Sequence, residues 1–330
     1  MPFQVSPGIN VSEIDLTLVV PNVATSIGAM AGSFQWGPVL ERTSITTEND
    51  LVKVFGKPND DTQEYFHTCS NYLAYSNNLI IVRNVGASAK NAVVGDTDVG
   101  TAANVNNADD YDTDTYVNQL FLAKYPGTLG NSLKAIAIDS NGWADATVNA
   151  TFKANFDRAP ETSTDVSNAG GSEDEMHVLV VDEDGLWTGS PGEVLEKFAF
   201  VSKASDAKKI DGSSNYVGTV LRNESRYVWL GQVTELTANS TGSGTNAGQP
   251  KAGATFKTFN SSTASESVPG GSLAGGVDDN ILTDGELQTG YALYIVPEVV
   301  DVTLVMAGPA STTTARYIVD NITSVRKDCV

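Results

Sequence analysis

The stretch Ala24 to Pro58, ATSIGAMAGSFQWGPVLERTSITTENDLVKVFGKP, decides the fold. Thr25 to Phe34 mixes small and apolar residues, the composition of a buried strand whose neighbours pass close to its backbone. Trp36-Gly37-Pro38 breaks that strand, because glycine accepts φ > 0 and proline has no N–H to give a ladder. A short helix follows. Thr47 stands three residues before Asp50, as in a capping box, and Leu51, Val52, Val54 and Phe55 give an apolar face. Gly56 and Pro58 stop it.

Beyond Pro58 the pattern alternates. Residues 60–78 carry Tyr65, Phe66, Cys69, Tyr72 and Leu73 on one helical face, with Asp60 and Asp61 favouring its N-terminus. Leu79 to Val85 reads as a central strand. Phe121 to Asp139 reads as a strand edge, a Pro-Gly turn and an alternating strand. Met176 to Val181 is a strand, Asp182 to Gly185 a turn, and Val194 to Val201 a further strand. Ser213 or Ser214 is placed to cap a helix bearing Tyr216, Val217, Val220 and Leu221, followed by a strand at Arg226 to Val233. Thr283-x-x-Glu286 opens a helix, Asp301 to Met306 is a strand, and Ser311 or Thr312 opens the last helix. Asp328-Cys329-Val330 reads as the start of one more strand.

This order predicts an α/β fold with α+β features, a layered mixed sheet flanked by helices. The core is expected from 24–85, 119–146 and 176–330, within one domain spanning 23–330. Polar insertions are expected at about 86–118, 147–175 and 234–272. The Ser, Gly, Thr and Asn composition of Thr234 to Ser272 predicts an exposed, mobile loop. Residues 1–22 read as an extended arm: Pro2, Pro7 and Pro21 oppose helix. Val11, Ile14, Leu16 and Leu18 alternate in part with polar residues, as in a strand that joins an edge of something else. Extended, such an arm reaches about 70 Å.

The 330 residues can bury roughly 75% of the unfolded surface. Forty acidic against twenty basic residues, net charge −20, argue against a nucleic-acid groove, which needs cations to neutralise phosphates. Two cysteines, Cys69 and Cys329, form no metal motif or disulfide framework. The N-terminus lacks the basic and apolar regions of a secretory signal, and no window approaches about 18 uninterrupted apolar residues.

No catalytic, cofactor-binding or metal-binding residue is assigned. The two histidines, His67 and His177, form no H-x-x-x-H or H-E-x-x-H pair, and neither G-x-S-x-G nor a phosphate-binding loop occurs. Gly242-Ser243-Gly244 fails a dinucleotide fingerprint at Ala247. Asp110, Asp112 and Asp114 suggest a calcium loop, but Thr115 stands where glycine is needed and Phe121 where glutamate is needed. Gly308, at a strand end where α/β enzymes bind ligands, has no charged or nucleophilic residue beside it.

SPGINVSEID, AGSFQWGPV and LVKVFGKP, followed in order by YPGTLGNSL, VLVVDEDG and LAGGVDD, resemble the tail sheath protein of contractile-tailed bacteriophages. The resemblance implies a structural subunit, not an enzyme, without cofactor. It would polymerise as stacked rings around a tail tube and contract to drive the tube through the host envelope for genome ejection. It implies arm residues Gly8, Ile9, Val11, Ile14, Leu16 and Leu18 in strand addition between subunits. The implied partners are further copies of the chain, the tube protein, and terminator and baseplate proteins, with neither nucleic acid nor membrane insertion. The implied location is the virion tail, after assembly in the host cytoplasm. Members of that family continue into a C-terminal, arm-receiving domain, and by the resemblance this sequence is expected to lack it. Two alternatives stand beside it: the sheath of a phage-derived bacterial injection device, and an α/β enzyme with an unrecognised site.

Overall fold

The computed structural model describes residues 27–94, 104–114, 116, 119–145, 148, 150–237, 243–259, 269–326 and 328–330. In chain order the first elements are β1 (Gly28–Gly32), β2 (Arg42–Ile45), α1 (Glu48–Phe55), α2 (Gln63–Leu73), β3 (Leu79–Arg83), β4 (Val93–Val94), α3 (Ala108–Thr113) and β5 (Phe121–Ala123). Next come β6 (Leu133–Ile138), α4 (Ser140–Ala144), α5 (Ala150–Lys153), α6 (Thr164–Asn168), β7 (Glu175–Asp182) and β8 (Glu193–Ser202). The last are α7 (Val217–Glu224), β9 (Val228–Leu230), β10 (Gly270–Ser272), α8 (Asp284–Ala292), β11 (Leu304–Val305) and α9 (Thr312–Ile318).

The first sheet has the order β11-β1-β3-β2. β1 runs parallel to β11 and β3, and β2 is antiparallel to β3. The sequence Gly28-Ala29-Met30-Ala31-Gly32 explains its two coverings. Met30 faces the layer of α1 and α2 with Leu51, Phe55, Phe66 and Cys69. Ala29 and Ala31 face α8 and α9 with Leu287, Tyr291, Tyr294, Ile318 and Ile322. The glycines let α2 come close: a Cβ on Gly32 would stand 2.3 Å from the Tyr65 ring, and one on Gly28 2.6 Å from Tyr72. Thr47 caps α1 by accepting the Asp50 N–H, and Gly56 ends it at φ 79°. Thr283 and Glu286 form the complete capping box of α8.

The described residues between β3 and α8 form a second body on this sheet. The chain leaves and returns as a two-stranded ribbon: Lys90 exchanges both backbone hydrogen bonds with Val277 at 3.0 Å, and Val93 does the same with Ala274 at 2.8 and 3.0 Å. Beyond it lie an antiparallel sheet, β10-β6-β7-β8, and a three-stranded sheet, β4-β5-β9. Ala135, Ala137, Val178 and Val180 pack with Phe121, Val228 and α7 in one core. Ile136, Ile138, Leu179 and Val181 fill the opposite face against Val148 and Phe156. β7 is therefore buried along its whole length, which matches its apolar run.

Several expectations need correction. The 234–272 stretch is not uniformly exposed. Leu236, Ala247, Ala254, Phe256 and Phe259 are buried, because that stretch contributes one apolar residue at intervals to cores built elsewhere. The described parts of the polar 86–118 and 147–175 stretches hold short elements, β4 and α3 in the first and α5 and α6 in the second. Ser213 and Ser214 do not cap α7. Its N-cap is Tyr216, without a side-chain bond, because the Ser214 hydroxyl accepts from the Tyr216 N–H. The 301–306 strand shortens to Leu304–Val305.

Candidate assembly site

Two buried arginines shape the first sheet. Arg83, the last residue of β3, donates to the carbonyls of Phe34, Gly37, Gln35 and Pro126 at 2.8–3.2 Å. It thereby holds the Trp36-Gly37-Pro38 break and ties it to the second body. Trp36 itself enters that body's core, edge-on to Tyr125 and Trp187 at 5.4 and 4.9 Å. Arg326 donates to the carbonyls of Tyr294 and Val300 at 2.7 and 2.9 Å, and to the Asp328 carboxylate. That carboxylate raises the guanidinium above its ordinary range and is itself held below the usual carboxylate range.

Both ends of the described chain meet the residues around β11: Ile27, just before the inner strand β1, on one side and Val330 on the other. The Ile27 carbonyl accepts from the N–H groups of Thr303 and Leu304. Val330 donates to the Thr303 carbonyl at 3.0 Å and accepts from Val305 at 2.8 Å, the pattern of a parallel strand beside β11. The expected strand at 328–330 does not form as an element; only Val330 makes these two ladder-like bonds. Around this edge Val296, Val299, Val319, Val325 and Val330 are exposed, while Val300, Val302, Ile318, Ile322 and Cys329 are buried. β2 and β8 are outer strands of their sheets among the described residues. Unpaired outer N–H and C=O groups are what an incoming strand needs.

The arm residues Gly8, Ile9, Val11, Ile14, Leu16 and Leu18 lie outside the described residues. The other sequence candidates are occupied structurally. Gly308 takes φ 58° and packs on Met30 and Tyr65, so the strand end is closed by side chains. Asp112 pairs with Arg222, and Asp110 accepts the Asn106 N–H. Asp182 accepts from Ser132, Trp187 and Thr188. Cys69 is buried against Met30 sulfur, and burial pushes its thiol up. His67 is exposed and His177 is buried. No group of three or more His, Cys, Asp or Glu among the described residues is arranged to hold a metal. No helix among them is long and apolar enough to cross a membrane.

Sequence reasoning missed a buried ion pair. Lys203 Nζ lies 2.8 Å from Asp139 Oδ2, both fully enclosed. Lys203 also donates to the carbonyls of Glu173 and Lys257, and Asp139 accepts from the N–H groups of Asn141, Gly142 and Phe259. The pair straps the 243–259 segment to the ends of β6 and β8 within the second body. Nothing in the local sequence marks it, since its partners come from four separated segments.

Residues 25–83 match the family described as tail sheath protein Gp18 domain III, N-terminal region. The match ends at Arg83, where the chain leaves the first sheet. The chain is 33% identical over 220 residues to the tail sheath protein of Salmonella phage ViI, covering 66% of this chain and 31% of that protein. It is 47% identical over 88 residues to the tail sheath protein of Vibrio phage KVP40, and 43% identical over 88 residues to that of Enterobacteria phage T4. Each of these two alignments covers 26% of this chain and 13% of the relative. The aligned region is thus under a third of the length of the relatives.

Proposed function

We propose that this chain, similar to phage tail sheath proteins, is part of a structural subunit of a contractile tail sheath. The carrying observation is the similarity over 220 residues to a tail sheath protein, joined by a family match that coincides with β1 to β3. The reading assigns no catalytic role. Identical subunits stack around a tail tube, meet terminator and baseplate proteins at its ends, and assemble in the host cytoplasm before serving in the virion. Contraction is a passage between two polymer states of different interface energy, the extended one held behind a barrier. A rigid subunit suits that role. Both faces of the first sheet are covered, and Arg83 links it to the second body.

In this reading residues 1–22 are the arm, and Gly8, Ile9, Val11, Ile14, Leu16 and Leu18 pair with a neighbouring subunit. Each main-chain bond so formed contributes about 0.5–1.5 kcal/mol net, and the lattice multiplies it.

The test is electron microscopy of the full-length parent protein and its arm variants. Wild type is expected to form hollow tubes. Val11→Pro, which removes a ladder donor, and deletion of 1–22 are expected to abolish tubes while circular dichroism stays unchanged. Discrete particles from wild type would overturn the sheath reading; normal tubes from the deletion would overturn the arm alone.

A further inference from the structure

We propose that His177 is an acid-sensitive latch on the outer strand β8 of the second body. Along the β7–β8 ladder the register shifts between Met176 and Val178, and neither Ala199 nor Phe200 has a paired residue opposite. Phe200 stands at φ 55°, a left-handed conformation unusual for a side chain of that size. Its N–H, which a regular ladder would send to a carbonyl, instead donates to His177 Nδ1 at 3.1 Å. The imidazole has taken the place of a backbone acceptor. The Asn215 side chain holds the Phe200 carbonyl at 2.8 Å.

The other ring nitrogen fixes the protonation state. Nε2 lies 3.0 Å from the Arg158 carbonyl, which can only accept. An amide N–H can only donate, so the bound ring is the neutral tautomer with its proton on Nε2. The ring is enclosed: it stacks on Phe156 at 4.0 Å and 3°, with Trp143 and Phe200 edge-on.

The charges around it give no help to a second proton. The Arg158 guanidinium lies 4.0 Å over the Phe200 ring and is held by Glu175 at 3.1 Å. On β8, Lys197 reaches the Asn155 carbonyl, and on α5, Lys153 reaches the Asp145 carbonyl. Asp157 is exposed, and Asp139, next to the β6 residue paired with His177, faces Lys203. Burial holds the imidazole below its ordinary range; the bond to the Arg158 carbonyl works the other way, and the Arg158 charge adds to the lowering.

A proton on Nδ1 would face the Phe200 N–H at 3.1 Å, donor against donor. The two groups must then part, and Phe200 loses the contact that keeps it left-handed. The sign follows from linkage. The folded ring binds its proton more weakly than the unfolded one. The latch is therefore complete above the unfolded value of about 6.5 and is lost as pH falls from there through the folded value.

Wild-type chain suffices for the first measurement. His177 is followed by NMR titration, and hydrogen exchange of the Phe200 amide is followed from about pH 7.5 to 5. His177 is expected to titrate below the unfolded-chain value of about 6.5. The Phe200 protection factor is expected to fall roughly tenfold or more over that range while that of Leu179, on the central strand, holds. His177→Asn keeps an acceptor at the δ position and is expected to remove the pH dependence. Titration of His177 at or above about 6.5, unchanged Phe200 protection, or a pH effect that persists in His177→Asn would each overturn the proposal.

Discussion

Thr303 grips Ile27 from both sides of its peptide: the Thr303 N–H donates to the Ile27 carbonyl at 2.9 Å, and the Thr303 Oγ1 accepts the Ile27 N–H at 2.8 Å. The same residue's carbonyl accepts from Val330. One residue thus orders the point where the chain enters β1 and holds Val330 beside β11. Thr303→Val, similar in shape but without the hydroxyl, is expected to cost about 1 kcal/mol in urea unfolding, and Thr303→Ser much less.

Arg83 satisfies four carbonyls with no carboxylate bonded to it. Arg83→Met leaves those carbonyls without their donors and is expected to destabilise by about 3 kcal/mol or more. Lys in its place has three donors on a point charge and cannot reproduce the planar fork, so Arg83→Lys is expected to recover only part of the loss.

Lys203→Met leaves the Asp139 carboxylate buried without its cation. A loss of about 3–5 kcal/mol is expected on denaturant unfolding. The 243–259 segment loses its Lys257 carbonyl contact at the same time. Limited proteolysis is therefore expected to cut within 243–259 sooner than in wild type, before any cut in β7.

Gly32→Ala sets a methyl group against Tyr65, at 2.3 Å from its ring. The strand cannot move away without breaking its pairing to β3, so α2 must shift. An expected cost of about 1–3 kcal/mol follows. Tyr65→Ala in the same chain is expected to absorb part of it, so the double variant should lose less than the sum of the singles.

Acid should act through Asp182. Burial raises its carboxyl, but bonds from Thr188, Ser132 and Trp187 outweigh it, and the group sits below the usual carboxylate range. A lowered folded value means that the contribution is present above the unfolded value of about 3.9 and is lost as pH falls through the folded value. Unfolding free energy is expected to drop as pH falls below about 4, with a shallower slope in Asp182→Asn.

The α1 boundaries were legible because they depend on neighbours in sequence. Thr47 accepts the Asp50 N–H and Gly56 ends the helix as their spacing predicts, while the Asp50 carboxylate takes the Thr46 hydroxyl and leaves the box half made. Thr283 and Glu286 make the whole box their spacing predicts. The 243–259 segment was not legible. Its Phe256 and Phe259 are isolated apolar residues in polar surroundings, and their burial is set by Asp139 and Lys203, over fifty residues away in sequence. The short β11 was overread for a related reason: an apolar run at 302–306 serves partly as core filling beside Ile318 and Ile322. Of the proposed assembly site, the periodicity of the arm was readable in sequence. The meeting of Ile27, Thr303 and Val330 was not, because it joins positions separated by most of the chain.

The paired bridges Lys90–Val277 and Val93–Ala274 carry one more consequence. They make a closed gate in the chain, with 94–273 hanging from it as a single appendage. The host sheet, built from 27–83 and 284–330, is topologically indifferent to what lies past that gate. Lengthening the appendage adds little closure entropy, since the cost grows only with the logarithm of loop length and the ends are already joined. Evolution can therefore enlarge, trim or exchange the outer body without redesigning the inner one. A tight hairpin turn joining residue 93 to 274 is, by the same logic, the graft point at which a foreign domain could be carried by this sheet.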